Sequence, residues 1–173
     1  MNRILLLDDE ENILRALRRA ISSQDYVVED FTDPNAALAR SEVAVFSLVV
    51  SDYRMPNMDG VHFLRRFKEQ QPDAPRILLS GQTDREGLLK AINQAEIYRF
   101  ISKPWDDYEL RVTIRQALAQ REMSMENDRL ANQVRRQQRD LDKQDRLLDR
   151  LEKEYPGIGQ VRRAEDGSVI IDD

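Results

Sequence analysis

Short apolar runs alternate with amphipathic stretches of about a dozen residues, a pattern typical of βα units built around a parallel sheet. The runs predict five strands, near residues 4–7, 26–31, 46–50, 77–79 and 97–101. The first and third runs are almost uninterrupted, which indicates central strands covered by helices on both faces. Tyr98 and Arg99 interrupt the fifth run, so we expect the fifth strand to lie at an edge of the sheet.

The stretches between these runs predict five helices, and polar residues mark several of their starts. The helices cover residues 11–22, 34–41, 60–71, 84–94 and everything after Asp106. Asp33 is a capping residue followed by a proline in the first helical turn. Asp106 and Asp107 place negative charge at the positive end of the last helix. The order of elements therefore predicts an α/β fold with helices on both faces of a parallel sheet.

The last helix can extend well beyond the sheet, because no proline or glycine occurs between Asp106 and Lys153. A heptad register places Gln120, Asn127, Val134, Leu141 and Leu148 at position a, and Met123, Leu130, Gln137, Gln144 and Leu151 at position d. Six of these ten seam positions are apolar, which favours a coiled coil and a homodimer. A solitary helix held by local ion pairs is the alternative, but it would leave the leucines in water.

The charges beside this seam leave its orientation open. In a parallel homodimer Asp140 at position g would face Asp145 at position e of the second copy, so antiparallel and heteromeric arrangements also stay open. After Tyr155, proline and glycine end the helix, and the segment around Asp166-Gly167 is compatible with a small hairpin. We expect a globular domain over residues 1–120, a coiled-coil extension over 121–153 and a short tail over 154–173.

Composition narrows the class of protein. The net charge of −5 is unlike the basic surface that binds nucleic acid, so we expect no direct nucleic-acid partner. The N-terminal apolar run is too short for a signal peptide or a membrane span, so we expect a cytoplasmic protein without membrane contact. The absence of cysteine excludes disulfides and zinc–thiolate sites.

Polar side chains follow four of the five predicted strands, and the carboxyl ends of parallel strands are where such sheets bind ligands. These side chains are Asp8 and Asp9 after the first strand, Asp52 after the third, Ser80 after the fourth and Lys103 after the fifth. Clustered carboxylates repel each other unless a cation joins them, and Mg²⁺ prefers oxygen ligands. The set fits phosphoryl transfer, with Asp52 as nucleophile, Asp8 and Asp9 holding the metal, and Ser80 and Lys103 contacting phosphoryl oxygens.

Each of these residues also has an ordinary structural explanation when it is taken alone. Asp9 and Glu10 could cap the first helix, Asp52 could form a turn, and Ser80-Gly81 could be a simple turn. Their joint occurrence at the same end of successive strands is not explained in this way. We expect His62 to be structural or solvated, and Tyr53 and Trp105 to pack rather than to act in chemistry.

Four separated motifs carry a resemblance to a known family. They are Asp8-Asp9-Glu10, the run from Ser51 to Gly60 around Asp52, Ser80-Gly81 and Lys103-Pro104. In this order they resemble the receiver domain of two-component response regulators, over about residues 1–120. The resemblance implies a flavodoxin-like, doubly wound (βα)5 fold with a five-stranded parallel sheet in the order 2-1-3-4-5.

The resemblance also implies roles for individual residues. Asp52 would be the phosphoacceptor, and Asp8, Asp9, Asp52 and the backbone carbonyl of Arg54 would bind Mg²⁺. The Lys103–Pro104 peptide bond would be cis. The phosphoryl donor would be a histidine kinase or a phosphotransfer protein.

A switch and a control of phosphate lifetime follow from the same resemblance. Ser80 and Phe100 would move together on phosphorylation, and the fourth helix, fifth strand and fifth helix would form the switch surface. A fixed core position for Phe100 is the alternative. Arg54 and Gln82 would border the route of the hydrolytic water and tune dephosphorylation.

The remaining residues fit neither a DNA-binding domain nor an output enzyme, so we expect no enzyme activity beyond phosphorylation and dephosphorylation of Asp52. We expect a downstream protein target reached through the switch surface and the coiled coil. A phosphatase-like or nucleotide-binding enzyme on the same fold is one alternative, although no Gly-rich loop follows the first strand. A regulator associated with DNA that lacks its own DNA-binding domain is another.

Overall fold

The computed structural model describes residues 1–22, 26–81 and 95–156. Strands and helices alternate along the first part of the chain, and one long helix ends it. The elements are β1 (Asn2–Leu7), α1 (Glu11–Ile21), β2 (Tyr26–Phe31), α2 (Pro34–Val43), β3 (Leu48–Asp52), α3 (Gly60–Gln70), β4 (Arg76–Ser80), β5 (Arg99–Ser102) and α4 (Asp107–Glu154). The predicted helix over 84–94 and the predicted hairpin in the tail lie outside the described residues.

The five strands form one parallel sheet in the order β2-β1-β3-β4-β5, which confirms the predicted fold and order. Strand β5 lies at an edge, as expected from its interrupted apolar run. Strands β3 and β4 are buried at every position. A continuous apolar run is therefore explained by cover on both faces.

Two apolar layers hold the sheet between helices. Alternate residues of β1 point to opposite faces, so that Ile4 and Leu6 join one layer while Leu5 and Leu7 join the other. Helices α1 and α4 pack on the first layer through residues such as Leu17. Helices α2 and α3 pack on the second.

The starts of α2 and α4 use the aspartates that were expected to mark them. The Asp33 side chain accepts a hydrogen bond from Asn35 N at the start of α2, and Asp106 accepts one from Glu109 N at the start of α4. Helix α4 is continuous over 48 residues, as predicted from the absence of proline and glycine.

Several boundaries differ from the prediction. Strand β3 begins at Leu48 rather than at Phe46, because the backbone N–H of Phe46 donates to the Gln71 side chain instead of to a neighbouring strand. Strand β5 begins at Arg99 rather than at residue 97, and Glu96, just before this segment, has a positive φ of 46°. Helix α2 continues to Val43, two residues past its predicted end.

The chain divides into two compact units, Met1–Met125 and Glu126–Asp173. The first holds the sheet and the helices packed on it. In the second, the described residues are the remainder of α4 and a short turn up to Pro156. None of the described helices contains an apolar stretch long enough to cross a bilayer.

Candidate functional site

The parallel register brings four strand ends to one edge of the sheet. Leu7 pairs with Ser51, Asp52 with Leu79 and Ser80 with Ser102. The residues that follow or end these strands are Asp8, Asp52, Ser80 and Lys103. The sheet thus places the polar residues identified in the sequence at the edge where ligands bind in such folds.

Three carboxylates form a cluster at this edge. One ligand oxygen each from Asp8, Asp9 and Asp52 lies within 4.8 Å of the others. Asp8 and Asp52 are buried, whereas Asp9 is exposed. Asp8 is fixed in part by Glu10, whose backbone N–H donates to Asp8 Oδ1 at 2.9 Å. Hard oxygen donors grouped in this way are the ligands that Mg²⁺ prefers.

Lys103 contributes a positive charge to the same cluster. Its Nζ atom lies 2.7 Å from Asp8 Oδ2 and 2.7 Å from Asp52 Oδ1. The Lys103 backbone N–H donates to the carbonyl oxygen of Ser80 at 2.8 Å, which ties the residue to the end of β4. The Lys103–Pro104 peptide bond is cis, as the resemblance implies.

Burial and charge act in opposite directions on the ionisation of this site. Burial raises the pKa of Asp52 above its usual value, even though the hydrogen bond and charge of Lys103 act to lower it. For Lys103, burial acts to lower the pKa, but the contacts with Asp52 and Asp8 outweigh it and the pKa is raised. The ammonium is therefore held charged, whereas its contact with Asp52 does not offset the cost of burying that carboxylate.

The loop after β3 folds back over Asp52 and begins α3. Tyr53 N donates to Leu79 O and Gly60 N donates to Tyr53 O, both at 2.8 Å. Asn57 adopts a left-handed φ of 68° within this loop. A β-carbon at Gly60 would lie 2.0 Å from the carbonyl oxygen of Asp52. The sequence marked Gly60 as a helix start and as the end of the motif around Asp52, but its close approach to the Asp52 backbone was not predicted.

Ser80 and Phe100 lie on the same face of the sheet. Ser80 is two residues after Leu78 on β4, and Leu78 pairs in register with Phe100 on β5. Ser80 is buried, whereas Phe100 is half-buried and packs against the layer that α2 and α3 cover. The predicted switch pair therefore shares one side of the sheet.

The other singled-out residues have the following positions. Tyr53 and Trp105 are half-buried and pack on opposite core layers, as expected, and Trp105 Nε1 also donates to Asp107 Oδ1 at 3.1 Å. His62 is exposed and Arg54 is exposed. Glu10 occupies the cap position of α1, but its side chain makes no capping hydrogen bond. Gln82 lies outside the described residues.

Comparison with known proteins gives matches that agree on one family. The family model for the response regulator receiver domain matches residues 4–115. The hydrogenase transcriptional regulatory protein HoxA of Cupriavidus necator is 36% identical over 134 residues, which cover 76% of this chain and 27% of HoxA. The transcriptional regulatory protein FixJ of Bradyrhizobium diazoefficiens is 30% identical over 131 residues, covering 76% of this chain and 63% of FixJ. The chain thus spans about a quarter of the length of HoxA.

Solved structures share the fold over the same part of the chain. The signal receiver domain of an HD domain-containing protein from Pseudomonas fluorescens is 41% identical, with a TM-score of 0.67, and the match covers 70% of this chain and 98% of that domain. A structure described as adenylate cyclase from Rhodopirellula baltica is 28% identical, with a TM-score of 0.71, covering 76% of this chain and 98% of that one. The chain therefore belongs to the response regulator receiver domain family.

Proposed function

We propose that this chain accepts a phosphoryl group on Asp52 from a histidine kinase or a phosphotransfer protein. One observation carries the proposal: the buried Asp52 carboxylate lies beside two further carboxylates and 2.7 Å from the Lys103 ammonium. This combination supplies a nucleophile together with positive charge for the incoming phosphoryl oxygens.

In the transfer step, a carboxylate oxygen of Asp52 attacks the phosphorus of the donor. The P–N bond to the donor histidine breaks as the new P–O bond forms, and the imidazole leaves with the electron pair. Lys103 and the Ser80 hydroxyl then contact phosphoryl oxygens. Because phosphoryl transfer depends mainly on positioning and on charge stabilisation, the role of these side chains is to hold the phosphoryl group and to balance part of its charge.

A divalent cation fits the chemistry of the acidic cluster. Asp8, Asp9 and Asp52 would hold Mg²⁺ together with the backbone carbonyl of Arg54. When bound, Mg²⁺ supplies charge neutralisation for the carboxylates and for the phosphoryl group. Lys103 supplies one positive charge against the three carboxylates of the cluster, so most of their negative charge is left for a cation to neutralise.

Phosphorylation would be communicated through Ser80 and Phe100. A phosphoryl group adds charge and strong hydrogen-bond acceptors at Asp52, which would draw the Ser80 hydroxyl towards it. Phe100 lies on the same sheet face and is incompletely buried, so it can respond to that movement. Arg54 and Gln82 would set the lifetime of the phosphate. We propose that the chain has no enzyme activity beyond phosphorylation and dephosphorylation of Asp52.

The output would be a protein–protein interaction through the switch surface and α4. Beyond residue 121, the apolar seam of α4 is largely exposed, with Val134 63% and Leu148 63% accessible. The heptads predict a homodimer through this helix, and the like charges at Asp140 and Asp145 make a heteromeric pairing the alternative to it. We propose the unit boundaries expected from the sequence, with the receiver domain over 1–120, the coiled coil over 121–153 and the tail over 154–173.

A role in transcription is the second candidate, because HoxA and FixJ are transcriptional regulatory proteins by name. The acidic net charge of −5 disfavours direct DNA binding by this chain. Salt-dependent binding of the full chain to duplex DNA would support the second candidate, and no binding is expected.

The primary test is phosphorylation with a small donor. The full chain is incubated with Mg²⁺ and acetyl phosphate, and intact-mass and peptide spectra are recorded. We expect the mass of one added phosphoryl group on Asp52, and its loss in Asp52→Asn. Asp73→Asn, an exposed acidic residue, is the matched control and should be modified normally. A phosphoryl group on another residue, or none on the unaltered chain, would contradict the proposal.

A further inference from the structure

The charges of α4 are sorted by helix face between Glu126 and Glu154. This segment carries eight acidic and eight basic residues. In the heptad register all acidic residues occupy positions b, e and g, namely Glu126, Asp128, Asp140, Asp142, Asp145, Asp149, Glu152 and Glu154. Seven basic residues occupy positions c and f, namely Arg129, Arg136, Arg139, Lys143, Arg146, Arg150 and Lys153, and Arg135 is at position b. The basic stripe therefore lies opposite the a/d seam, and acidic residues flank the seam.

The seam itself is available for contact. Leu141 is 53% and Leu148 63% exposed, and Leu147, beside the seam at position g, is 55% exposed. Leaving these leucines in water costs free energy that pairing with an apolar face would recover. The segment is thus an exposed amphipathic face with a defined pattern of charge around it.

Residues at positions e and g select the partner of a coiled coil. From Gln138 to Glu154 these positions hold four acidic residues and no basic one, namely Asp140, Asp145, Glu152 and Glu154. In a parallel pair of identical helices, Asp140 of each copy would face Asp145 of the other. In an antiparallel pair, position g lies beside g and position e beside e, so acidic residues would again meet. Self-association therefore brings like charges together in both orientations.

The two ion pairs described at Glu126 and Asp140 do not remove this preference. Arg129 pairs with Glu126 at 2.8 Å and Lys143 with Asp140 at 3.8 Å, each over one helical turn. The side chains of Lys143 and Asp140 are 79% and 73% exposed, and pairs exposed to this extent contribute little. Asp140 can therefore exchange Lys143 for a cation on a partner helix.

We propose that the partner of this segment is an amphipathic helix of another protein, with an apolar seam flanked by Lys or Arg at positions e and g. The inference rests on the proposed function, in which the output is an interaction through α4. It names the chemistry of the partner. Complementary flanks would favour such a helix, whereas like charges would disfavour a second copy of this chain.

Two synthetic helices test the proposal. Both contain three heptads with Leu at positions a and d, and they differ only in carrying Lys or Glu at positions e and g. Binding of each labelled probe to the full chain is measured by fluorescence anisotropy, and the oligomeric state of the chain alone by light scattering. We expect the Lys probe to bind at least about tenfold more tightly at about 50 mM salt, with the difference shrinking as salt screens the flanks.

Charge reversal gives a matched pair of variants. Asp140→Lys with Asp145→Lys changes the flanks and should shift the preference towards the Glu probe. Asp142→Lys with Asp149→Lys makes the same change in net charge at position b and should leave the preference intact. Leu141→Gln with Leu148→Gln should weaken the binding of both probes, because it removes apolar side chains from the seam. Circular dichroism of each variant checks that the helix is retained.

The outcomes separate this inference from the proposed function. A chain that forms a stable homodimer and binds neither probe would overturn the inference while leaving association through α4 in place. Equal binding of both probes would contradict the proposal that the acidic residues at positions e and g select a partner with basic flanks. A monomer that binds neither probe would contradict association through α4 itself, whereas phosphorylation of Asp52 is tested separately.

Discussion

Gly60 lies directly against the backbone of Asp52, so that a β-carbon at Gly60 would be 2.0 Å from the Asp52 carbonyl oxygen. The same β-carbon would approach a side-chain carbon of Leu78 to 2.9 Å. Helix α3 therefore begins in contact with the strand end that carries the proposed phosphoacceptor. Because backbone atoms cannot yield as a flexible side chain does, only glycine fits this position.

Gly60→Ala is expected to lower the free energy of unfolding by about 3 kcal/mol, because the added methyl group must displace the backbone at Asp52 or the start of α3. Urea unfolding followed by circular dichroism measures the change. His62→Ala, an exposed position in the same helical turn, should change stability by less than about 0.5 kcal/mol. If Gly60→Ala leaves the free energy of unfolding unchanged, the backbone of Asp52 has room for a β-carbon at this position.

Lys103→Met should destabilise the metal-free protein at neutral pH by about 2 kcal/mol, because it leaves the buried carboxylates of Asp8 and Asp52 without their cation. Added Mg²⁺ should recover part of the loss. Lys68→Met is the matched control: Lys68 Nζ lies 2.5 Å from Glu96, whose side chain is 64% exposed, so little effect is expected. Urea unfolding with EDTA or with Mg²⁺ measures both variants, and an equal loss in the two would argue against a special role for Lys103.

Asp52→Asn is expected to raise the Tm of the metal-free protein at neutral pH. The pKa of Asp52 is raised in the folded state, chiefly by burial, so folding favours the protonated form. The stability that Asp52 contributes is present below its usual pKa of 3.8 and is lost as pH rises through the raised value. The advantage of the Asn variant should therefore grow with pH and then level off.

Thermal unfolding of both proteins in EDTA, from about pH 4 to about pH 8, tests this dependence. Added Mg²⁺ should reduce the difference, since a cation favours the ionised carboxylate. A variant that is less stable than the unaltered chain throughout this range would show that the Lys103 contact outweighs burial.

The buried side chain of Arg76 joins the segment that precedes β4 to the segment that precedes β5. Its Nε donates to Ala95 O at 2.8 Å, its Nη1 to Pro72 O at 3.0 Å and Ala74 O at 2.9 Å, and its Nη2 to Glu96 O at 3.2 Å. Arg76→Met would remove the hydrogen bonds donated to these carbonyl groups and should lower the free energy of unfolding by about 3 kcal/mol, measured in urea.

Arg76→Lys should recover little of this loss, because a lysine ammonium lacks the planar array of donors. Arg66→Met, at an exposed position of α3, is the control and should change stability by less than about 0.5 kcal/mol. A full recovery by lysine would mean that charge, and not hydrogen-bond geometry, is what the site requires.

Much of the fold follows from local pattern. Apolar periodicity located all five strands and each helix that the structure describes, since it records which side of an element must be buried. The polar residues after the strands could be assigned to one site from sequence, because parallel strands end at a common edge. The edge position of β5 was visible in Tyr98 and Arg99.

Other features depended on contacts between distant parts of the chain. Arg76 was left out of the predicted strand, because arginine is seldom buried unless its guanidinium group has partners. Those partners are backbone carbonyl groups up to 20 residues away along the chain, which a local pattern does not reveal. The start of β3 was set by a hydrogen bond from Phe46 to Gln71. The closeness of Gly60 to Asp52 arises from the loop that folds back over the strand.

Local pattern was enough to locate the described strands and helices and to group the polar residues that reach one edge of the sheet. The packing of separate elements was needed to show that Lys103 lies between Asp8 and Asp52, and that burial outweighs this cation in setting the pKa of Asp52. The physical reason is that periodicity depends on neighbours a few residues apart. Distances between charges, and the water excluded around them, depend on how separate elements pack.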